Sequence, residues 1–116
     1  MESTATQQRD AARAIANHVR ITNARTCKNI RRLSYAKGTT KVARLLHHGD
    51  LDGPLGTLPI WRLVTAIRSM GDIRAEELLY RADIQRHRRP LRTLTPRQRR
   101  RLALELDALP VDPRTR

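Results

Sequence analysis

Residues 58–84, LPIWRLVTAIRSMGDIRAEELLYRADI, read as two short amphipathic helices joined by a tight turn. Apolar residues recur at helical spacing, first at Ile60, Leu63, Val64 and Ile67 and then at Ile73, Leu78, Leu79 and Ala82. Pro59 suits the first turn of the entering helix, where its missing N–H would have no helical partner. Gly71 lies where the chain must reverse, and glycine lowers the steric cost of a positive φ. These signals predict a helical hairpin.

The turn itself, residues 69–72 (SMGD), resembles that of a helix-hairpin-helix. Over residues 67–78 the match is to the pattern I-x-x-M-G-x-x-x-A-x-x-L. In that motif the turn and the N-terminus of the second helix point backbone N–H groups at a phosphate. The usual pattern has glycine on both sides of the apolar turn residue, and Ser69 here replaces the first. An ordinary helical hairpin that only packs is the alternative interpretation.

The composition limits the kind of core that the chain builds. With 116 residues, the protein is long enough for one domain with a modest core that needs neither disulfides nor metal. The only aromatic residues are Trp61, Tyr35 and Tyr80, so the core must consist of Leu, Ile, Val and Ala, which favours helices over sheets. Cys27 is the only cysteine. It is expected to be a small buried residue in a reducing cytosol, since no disulfide framework is possible.

The charge is strongly basic, with 24 Lys and Arg against 11 Asp and Glu and a net charge of +13. This excess indicates a polyanionic partner, most simply nucleic acid. An anionic membrane surface is the alternative, but no stretch is apolar and long enough to span a bilayer. The polar beginning, MESTATQQRD, predicts no signal peptide. Both end regions, 1–36 and 73–116, are more basic than the residues between them, which suits more than one DNA-facing surface.

Residues from Thr4 to Leu33 read as one long helix without Pro or Gly. An apolar stripe is predicted at Ile15, Val19, Thr22, Thr26, Ile30 and Leu33. A basic line on nearly the opposite face consists of Arg9, Arg13, Arg20 and Arg31. Residues 36–40 are predicted to form a connector, in which Gly38 ends this helix and Thr39 or Thr40 caps the next.

A short helix with Val42, Leu45 and Leu46 inward is predicted next, followed by a turn-rich loop at residues 50–58. His47 and His48 are adjacent and lack a third ligand at metal spacing, so a zinc site is rejected. A calcium loop at residues 50–52 is also rejected, because the required downstream glutamate is missing. No metal and no cofactor are expected.

A basic loop, QRHRRPLRT at residues 85–93, follows the hairpin and precedes a strong helix start at residues 94–98, LTPRQ. Thr95 is the predicted N-cap, Pro96 the first helical residue, and Gln98 completes a capping box. The last helix is predicted to bury Leu102, Leu106 and Leu109 and to present Arg97, Arg100 and Arg101 on another face.

The order of these parts resembles the helix-two-turns-helix module of several nucleic-acid binders. They include a ribosomal protein of the small-subunit head, a class of base-excision glycosylases, and actinobacterial integration host factor. The last resemblance covers nearly the whole chain. Its layout matches RRL…KGT at residues 31–39 and LG at 55–56, and its more specific motifs match RRPLRTL at 88–94 and RQR at 97–99. Asp72 stands where the family's hairpin has a lysine, and Pro90 looks like an insertion.

The resemblance implies an all-α fold with three parts. These are a long basic N-terminal helix (1–36), a helix-two-turns-helix domain containing the helix-hairpin-helix (37–110), and a polar tail (111–116). It implies a nucleoid-associated, architectural protein of the cytoplasm that binds double-stranded DNA largely without sequence preference. The implied DNA-binding residues are Ser69, Met70, Gly71, Arg74, Arg88, Arg89, Arg92 and Arg97. Recombinase or integrase complexes on DNA are the implied larger partners, and a monomer is expected in solution.

The same module serves two other functions, of which RNA binding in the ribosome is the alternative for this chain and catalysis is not expected. A ribosomal RNA-binding protein would use the same module, but those relatives begin close to the hairpin and carry a long basic C-terminal extension. A glycosylase-like enzyme would need an N-terminal nucleophile domain and usually a zinc finger, which this sequence lacks. Neither a Ser-His-Asp set, a Gly-rich phosphate loop nor a paired carboxylate stands out elsewhere, so no enzymatic activity is expected.

Overall fold

Five α-helices and two short 3₁₀ helices make up the computed structural model, which describes residues 3–110. The α-helices are α1 (Ser3–Arg32), α2 (Tyr35–His48), α3 (Ile60–Thr65), α4 (Asp72–Arg81) and α5 (Pro96–Asp107). The first 3₁₀ helix, Pro54–Thr57, precedes α3, and the second, Leu91–Thr93, precedes α5. The described residues contain no strand, so the predicted all-α class with a long N-terminal helix is confirmed. The predicted polar tail at residues 111–116 lies outside the described part of the chain.

Helix α1 packs on the rest of the protein only through its C-terminal half. Residues 4–18 are all exposed, and the first buried positions are Asn23, Cys27 and Ile30. The amide nitrogen Nδ2 of Asn23 donates to Oγ1 of Thr57 at 3.0 Å and ties α1 to the first 3₁₀ helix. The predicted stripe is therefore wrong at Ile15, which is 65% exposed, because no other element within residues 3–110 covers it.

The break between α1 and α2 lies at Leu33-Ser34 rather than at the predicted connector, residues 36–40. Ser34 is the N-cap of α2, and its hydroxyl accepts from the Lys37 N–H at 3.3 Å. Gly38 lies inside α2, so its predicted role as a helix stop is wrong. A Cβ on Gly38 would lie 3.3 Å from Cγ2 of Ile67, which shows that glycine serves close packing there.

The core is aliphatic, as predicted, and is formed mainly where α2 and α4 pack against α5. The largest fully buried side chains are those of Ile30, Leu58, Ile60, Leu63, Ile67, Leu78, Leu79, Ile84, Leu91, Leu102, Leu106 and Val42. Three predicted core positions differ, and one of them is Leu45, which was predicted to face inward but is only half-buried. Ile73 is 76% exposed, because it lies on the outer side of α4, and Ala75 is buried instead. Leu109 is only half-buried after the end of α5.

Helix α4 ends in a Schellman motif that directs the chain back to the core. Its C-cap is Ala82, and the following Asp83 has a φ of 61°. The N–H of Ile84 donates to the Leu79 carbonyl at 2.8 Å, and that of Asp83 donates to the Tyr80 carbonyl at 3.0 Å, which are the two bonds of the motif. Glycine usually occupies the left-handed position, but aspartate tolerates it better than most residues.

The start of α5 is the predicted capping box. Oγ1 of Thr95 accepts from the Gln98 N–H at 3.1 Å, and Oε1 of Gln98 accepts from the Thr95 N–H at 2.9 Å. Nε2 of Gln98 also donates to the carbonyl of Asp83 at 2.8 Å. The same glutamine therefore caps α5 and holds its start against the end of α4.

Candidate nucleic-acid interface

The hairpin turn between α3 and α4 has positive φ on both sides of its apolar residue. Ser69 has a φ of 65° and Gly71 a φ of 70°, while Met70 between them is buried. Ser69 thus adopts the left-handed backbone that glycine provides in the usual pattern. A Cβ on Gly71 would have nothing within 4 Å, so glycine is favoured there by its φ and not by crowding. The outer side of the turn is accordingly open to a ligand.

The N-terminus of α4 faces this open side without a side-chain cap. Gly71 is its N-cap and supplies no side chain, and the only acidic residue in the first turn is the exposed Asp72. The first N–H groups of a helix lack helical acceptors and carry the positive end of the helix dipole. The turn and this helix end line one groove, called the hairpin groove here. It is lined by Ser69, Met70, Gly71, Asp72, Ile73, Arg74, Glu77, Leu78, Arg81, Leu109 and Pro110.

Arg74, in the first turn of α4, is held by a residue that is distant in sequence. Its Nη1 donates to the phenolic oxygen of Tyr35 at 2.9 Å, and its guanidinium carbon lies 5.6 Å from the centroid of the Tyr35 ring. Tyr35 is buried at the start of α2. Sequence reasoning identified Arg74 but missed Tyr35, because no local pattern relates two residues 39 positions apart.

A second groove, between the end of α4 and the start of α5, adjoins the first. We call it the interhelical groove, and its lining includes Arg81, Asp83, Arg97, Arg100 and Arg101. Arg81 lines both grooves, so the two grooves meet at this side chain, and the predicted site residue Arg97 lies in the second of them.

One acidic side chain organises two of the arginines in the interhelical groove. Oε1 of Glu105 lies 3.2 Å from Nη2 of Arg101, and Oε2 lies 3.7 Å from Nη1 of Arg81. The Glu105 side chain is 17% exposed. The sequence did not predict Arg81 as a site residue, because no pattern in the neighbouring residues distinguishes it from any solvated arginine of a helix.

The basic loop carries the remaining predicted site residues, and these line neither of the two grooves. Arg88 and Arg92 are exposed to solvent. Arg89 is half-buried, and its guanidinium donates to the carbonyl and the hydroxyl of Thr93. Arg89 therefore stabilises the loop itself, whereas Arg88 and Arg92 are available to an external anion.

Backbone hydrogen bonds fasten the basic loop to the start of α3. The carbonyl of Arg89 accepts from the Ile60 N–H at 2.9 Å, and that of His87 accepts from the Trp61 N–H at 2.9 Å. These bonds satisfy two N–H groups at the helix start. The His87 and Trp61 rings also stack, with centroids 5.1 Å apart and planes 8° from parallel. The loop is thereby held in one position relative to the hairpin.

Other basic and titratable groups lie away from these grooves. Lys37, Lys41 and Arg44 line a separate groove on the outer side of α2. Burial raises the pKa of the Cys27 thiol, and this effect outweighs the opposing influence of Arg62 and Arg31. Cys27 is therefore a protonated core residue at neutral pH, as expected from the sequence, and not an activated nucleophile.

Residues 3–110 contain neither a cluster of metal ligands nor a membrane-spanning helix. In that part of the chain, no three His, Cys, Asp or Glu side chains come together as a metal ion would require. No helix of the same residues has the length and apolar character needed to cross a membrane. Comparison of the chain with protein-family models, curated proteins and solved structures found no match.

Proposed function

We propose that this protein is an architectural binder of duplex DNA, similar to actinobacterial integration host factor and largely indifferent to sequence. Its activity is binding rather than catalysis. The observation that carries this proposal is the hairpin turn, in which Ser69 and Gly71 both have positive φ beside the uncapped start of α4. Such a turn presents backbone N–H groups to an anion.

A DNA phosphate would enter the hairpin groove from its open side and accept from the N–H groups after Gly71. The dipole of α4 favours the negative charge at that point, and Arg74 supplies a cation in the same turn. The arginines of the interhelical groove, above all Arg97 and Arg100, extend the positive surface away from the turn.

Contacts of this kind bind any sequence. Phosphate contacts position a protein on the duplex but carry no sequence information directly. The net charge of +13 supplies the counterion release that drives such binding. We accordingly place the protein in the bacterial nucleoid, binding as a monomer and serving recombinase or integrase complexes assembled on the same DNA.

The first test measures affinity for equal-length probes of AT-rich duplex DNA, GC-rich duplex DNA, single-stranded DNA and duplex RNA over a series of salt concentrations. With about six phosphates neutralised, the logarithm of the duplex DNA affinity falls with the logarithm of salt at a slope of roughly −5. The two DNA duplexes bind within about tenfold of each other. Salt-independent binding would overturn the proposal, and a clear preference for duplex RNA would favour the ribosomal-type function instead.

A charge substitution locates the site. Asp72 is exposed at the start of α4 and opposes a phosphate in the hairpin groove. Asp72→Lys should therefore tighten duplex DNA binding and steepen the salt slope by about one unit. The matched control is Asp52→Lys, which makes the same change of charge at an exposed loop position outside both grooves. Equal gains from the two variants at low salt would mean that the hairpin is not at the DNA.

A further inference from the structure

The first turn of α2 is packed directly on the hairpin. Gly38 approaches Ile67, which lies just after the end of α3, closely enough that a Cβ would lie 3.3 Å from the isoleucine Cγ2. Ile67 and Tyr35 are both buried. Two contacts therefore join the same pair of elements, namely Gly38 with Ile67 and Tyr35 with Arg74. These contacts place the buried Tyr35 beside the hairpin.

Tyr35 holds the Arg74 guanidinium in two ways at once. The hydroxyl accepts a hydrogen bond from Nη1 at 2.9 Å, and the guanidinium carbon lies 5.6 Å from the ring centroid, within the range of a cation–π contact. Tyr35 is only 4% exposed, so its ring is fixed by the core and cannot follow the arginine. The arginine is thus confined to the position that the tyrosine dictates.

Confinement of Arg74 matters for a phosphate site. Arginine has a long side chain that loses considerable conformational freedom when a ligand immobilises it. A guanidinium already held in place before DNA arrives loses less of this freedom. Prior positioning of this kind increases affinity without adding a contact to the ligand.

We propose that Tyr35 is a positioning residue for DNA binding, which holds the Arg74 guanidinium at the hairpin groove through its hydroxyl and ring. This inference rests on the proposed function and extends it, since Tyr35 itself lies in the core and touches no DNA. It also links the start of α2 to the phosphate site, so that disturbance at the junction of α1 and α2 reaches the hairpin through Arg74.

The test is a double-mutant cycle in the full chain, measured on a duplex DNA probe at two salt concentrations. Tyr35→Phe keeps the ring and its packing but removes the acceptor of the hydrogen bond. It should weaken binding about three- to tenfold, as expected for one side chain that must be ordered on binding. In an Arg74→Ala background the same change should have no further effect. Tyr80→Phe is the matched control, because Tyr80 is 79% exposed on α4, and it should leave affinity unchanged.

Two further readouts separate positioning from a general effect on folding. Arg74→Ala removes a cation and should lower the salt slope by roughly one unit, whereas Tyr35→Phe leaves the cation in place and should leave the slope unchanged. Thermal unfolding of each variant shows that binding is measured on folded protein. Equal losses from Tyr35→Phe with and without Arg74 would overturn the inference, because the tyrosine would then act through the fold.

The outcomes also distinguish this inference from the proposed function. If the unchanged protein does not bind duplex DNA, the proposed function fails and the positioning role fails with it. If the protein binds and Arg74→Ala weakens binding, but Tyr35→Phe matches the unchanged protein, only the positioning role is overturned. The role is likewise overturned if Arg74→Ala has no effect on a protein that binds DNA.

Discussion

Ser69 and Gly71 lie on either side of the buried Met70, and both have a positive φ, 65° and 70° respectively. A residue with a Cβ adopts this left-handed conformation at a cost of roughly 1–2 kcal/mol. Ser69 therefore stores backbone strain in the turn on which the proposed phosphate site depends. Strain at such a position persists only because the surrounding packing, here that of Met70 and Ile67, enforces it.

Ser69→Gly should stabilise the protein. Removal of the Cβ relieves the strain, although the larger entropy of an unfolded glycine offsets part of the gain, which leaves about 0.5–1 kcal/mol. Ser69→Ala is the control, because it keeps the Cβ and removes only the hydroxyl, and it should give no gain. Urea unfolding measures both free energies. Equal stability of the two variants would contradict the assignment of strain to the Ser69 backbone.

A pair of isoleucines on α1 distinguishes its packed half from its exposed half. Ile30 is fully buried, whereas Ile15 is 65% exposed. Ile30→Val should lower the free energy of unfolding by about 1 kcal/mol, since a buried methylene is lost. Ile15→Val should change it by less than about 0.5 kcal/mol. Thermal unfolding followed by circular dichroism provides the comparison, and a similar cost at both sites would show that the N-terminal half of α1 also packs.

Gly56, in the first 3₁₀ helix, is required by close approach of the backbone. A Cβ there would lie 1.8 Å from the carbonyl oxygen of Leu51, so the loop must shift to accept any side chain. Gly56→Ala should destabilise the protein by about 2–3 kcal/mol. Gly53→Ala is the control in the same loop, because its Cβ would meet the flexible Asp50 carboxylate at 3.1 Å and the Asp50 carbonyl oxygen only at an ordinary van der Waals distance, 3.6 Å. Denaturant unfolding should separate the two variants, and similar midpoints would disprove the clash.

The Cys27 thiol should report on unfolding and add a pH dependence to stability. Because burial raises its pKa, the folded state holds the thiol proton more tightly than the unfolded state. The contribution of this tighter proton binding to the free energy of unfolding is fully present below the unfolded-state pKa of about 8.5. It is lost as pH rises through the higher folded-state pKa. At pH 8, iodoacetamide should alkylate Cys27 slowly in the folded protein and rapidly in urea. Equal rates in the two conditions would mean that the thiol is accessible.

The comparison of unfolding free energies at two pH values isolates the same effect. The free-energy difference between the unchanged protein and Cys27→Ala should decrease from pH 7 to pH 10, because only the former has the thiol. All other titrating groups are common to both proteins and cancel. A difference that does not decrease over this range would contradict the raised thiol pKa in the folded state.

Short-range features of the fold followed from sequence alone. The capping box of Thr95 and Gln98 and the reversal at Gly71 both depend on residues no more than four positions apart, so their patterns predict them directly. The all-α class followed from helical periodicity and from the scarcity of aromatic residues. The predicted hairpin lies where it was expected, because the same helical periodicity indicates its two helices.

Features that depend on a packing partner were less predictable. Glycine is a residue type that often ends a helix. Gly38 nevertheless lies within α2, where Ile67 approaches it closely. Ile15 and Ile73 fit apolar stripes, yet both are exposed because no other element in the described part of the chain covers them. A periodic pattern shows which face of a helix is apolar, but it does not show where along that face the neighbouring elements lie.

The candidate site likewise has one part that depends on neighbouring residues in the sequence and another that depends on how the helices pack. Its local part, the turn at Ser69 and Gly71 with Arg74 beside it, was determined by the sequence, because a tight turn requires particular residues at adjacent positions. Only the tertiary structure decided that Arg74 contacts Tyr35 and that Arg81 lines both the hairpin groove and the interhelical groove. These relationships connect residues on different helices. They depend on how α2, α4 and α5 pack, which no short stretch of sequence specifies.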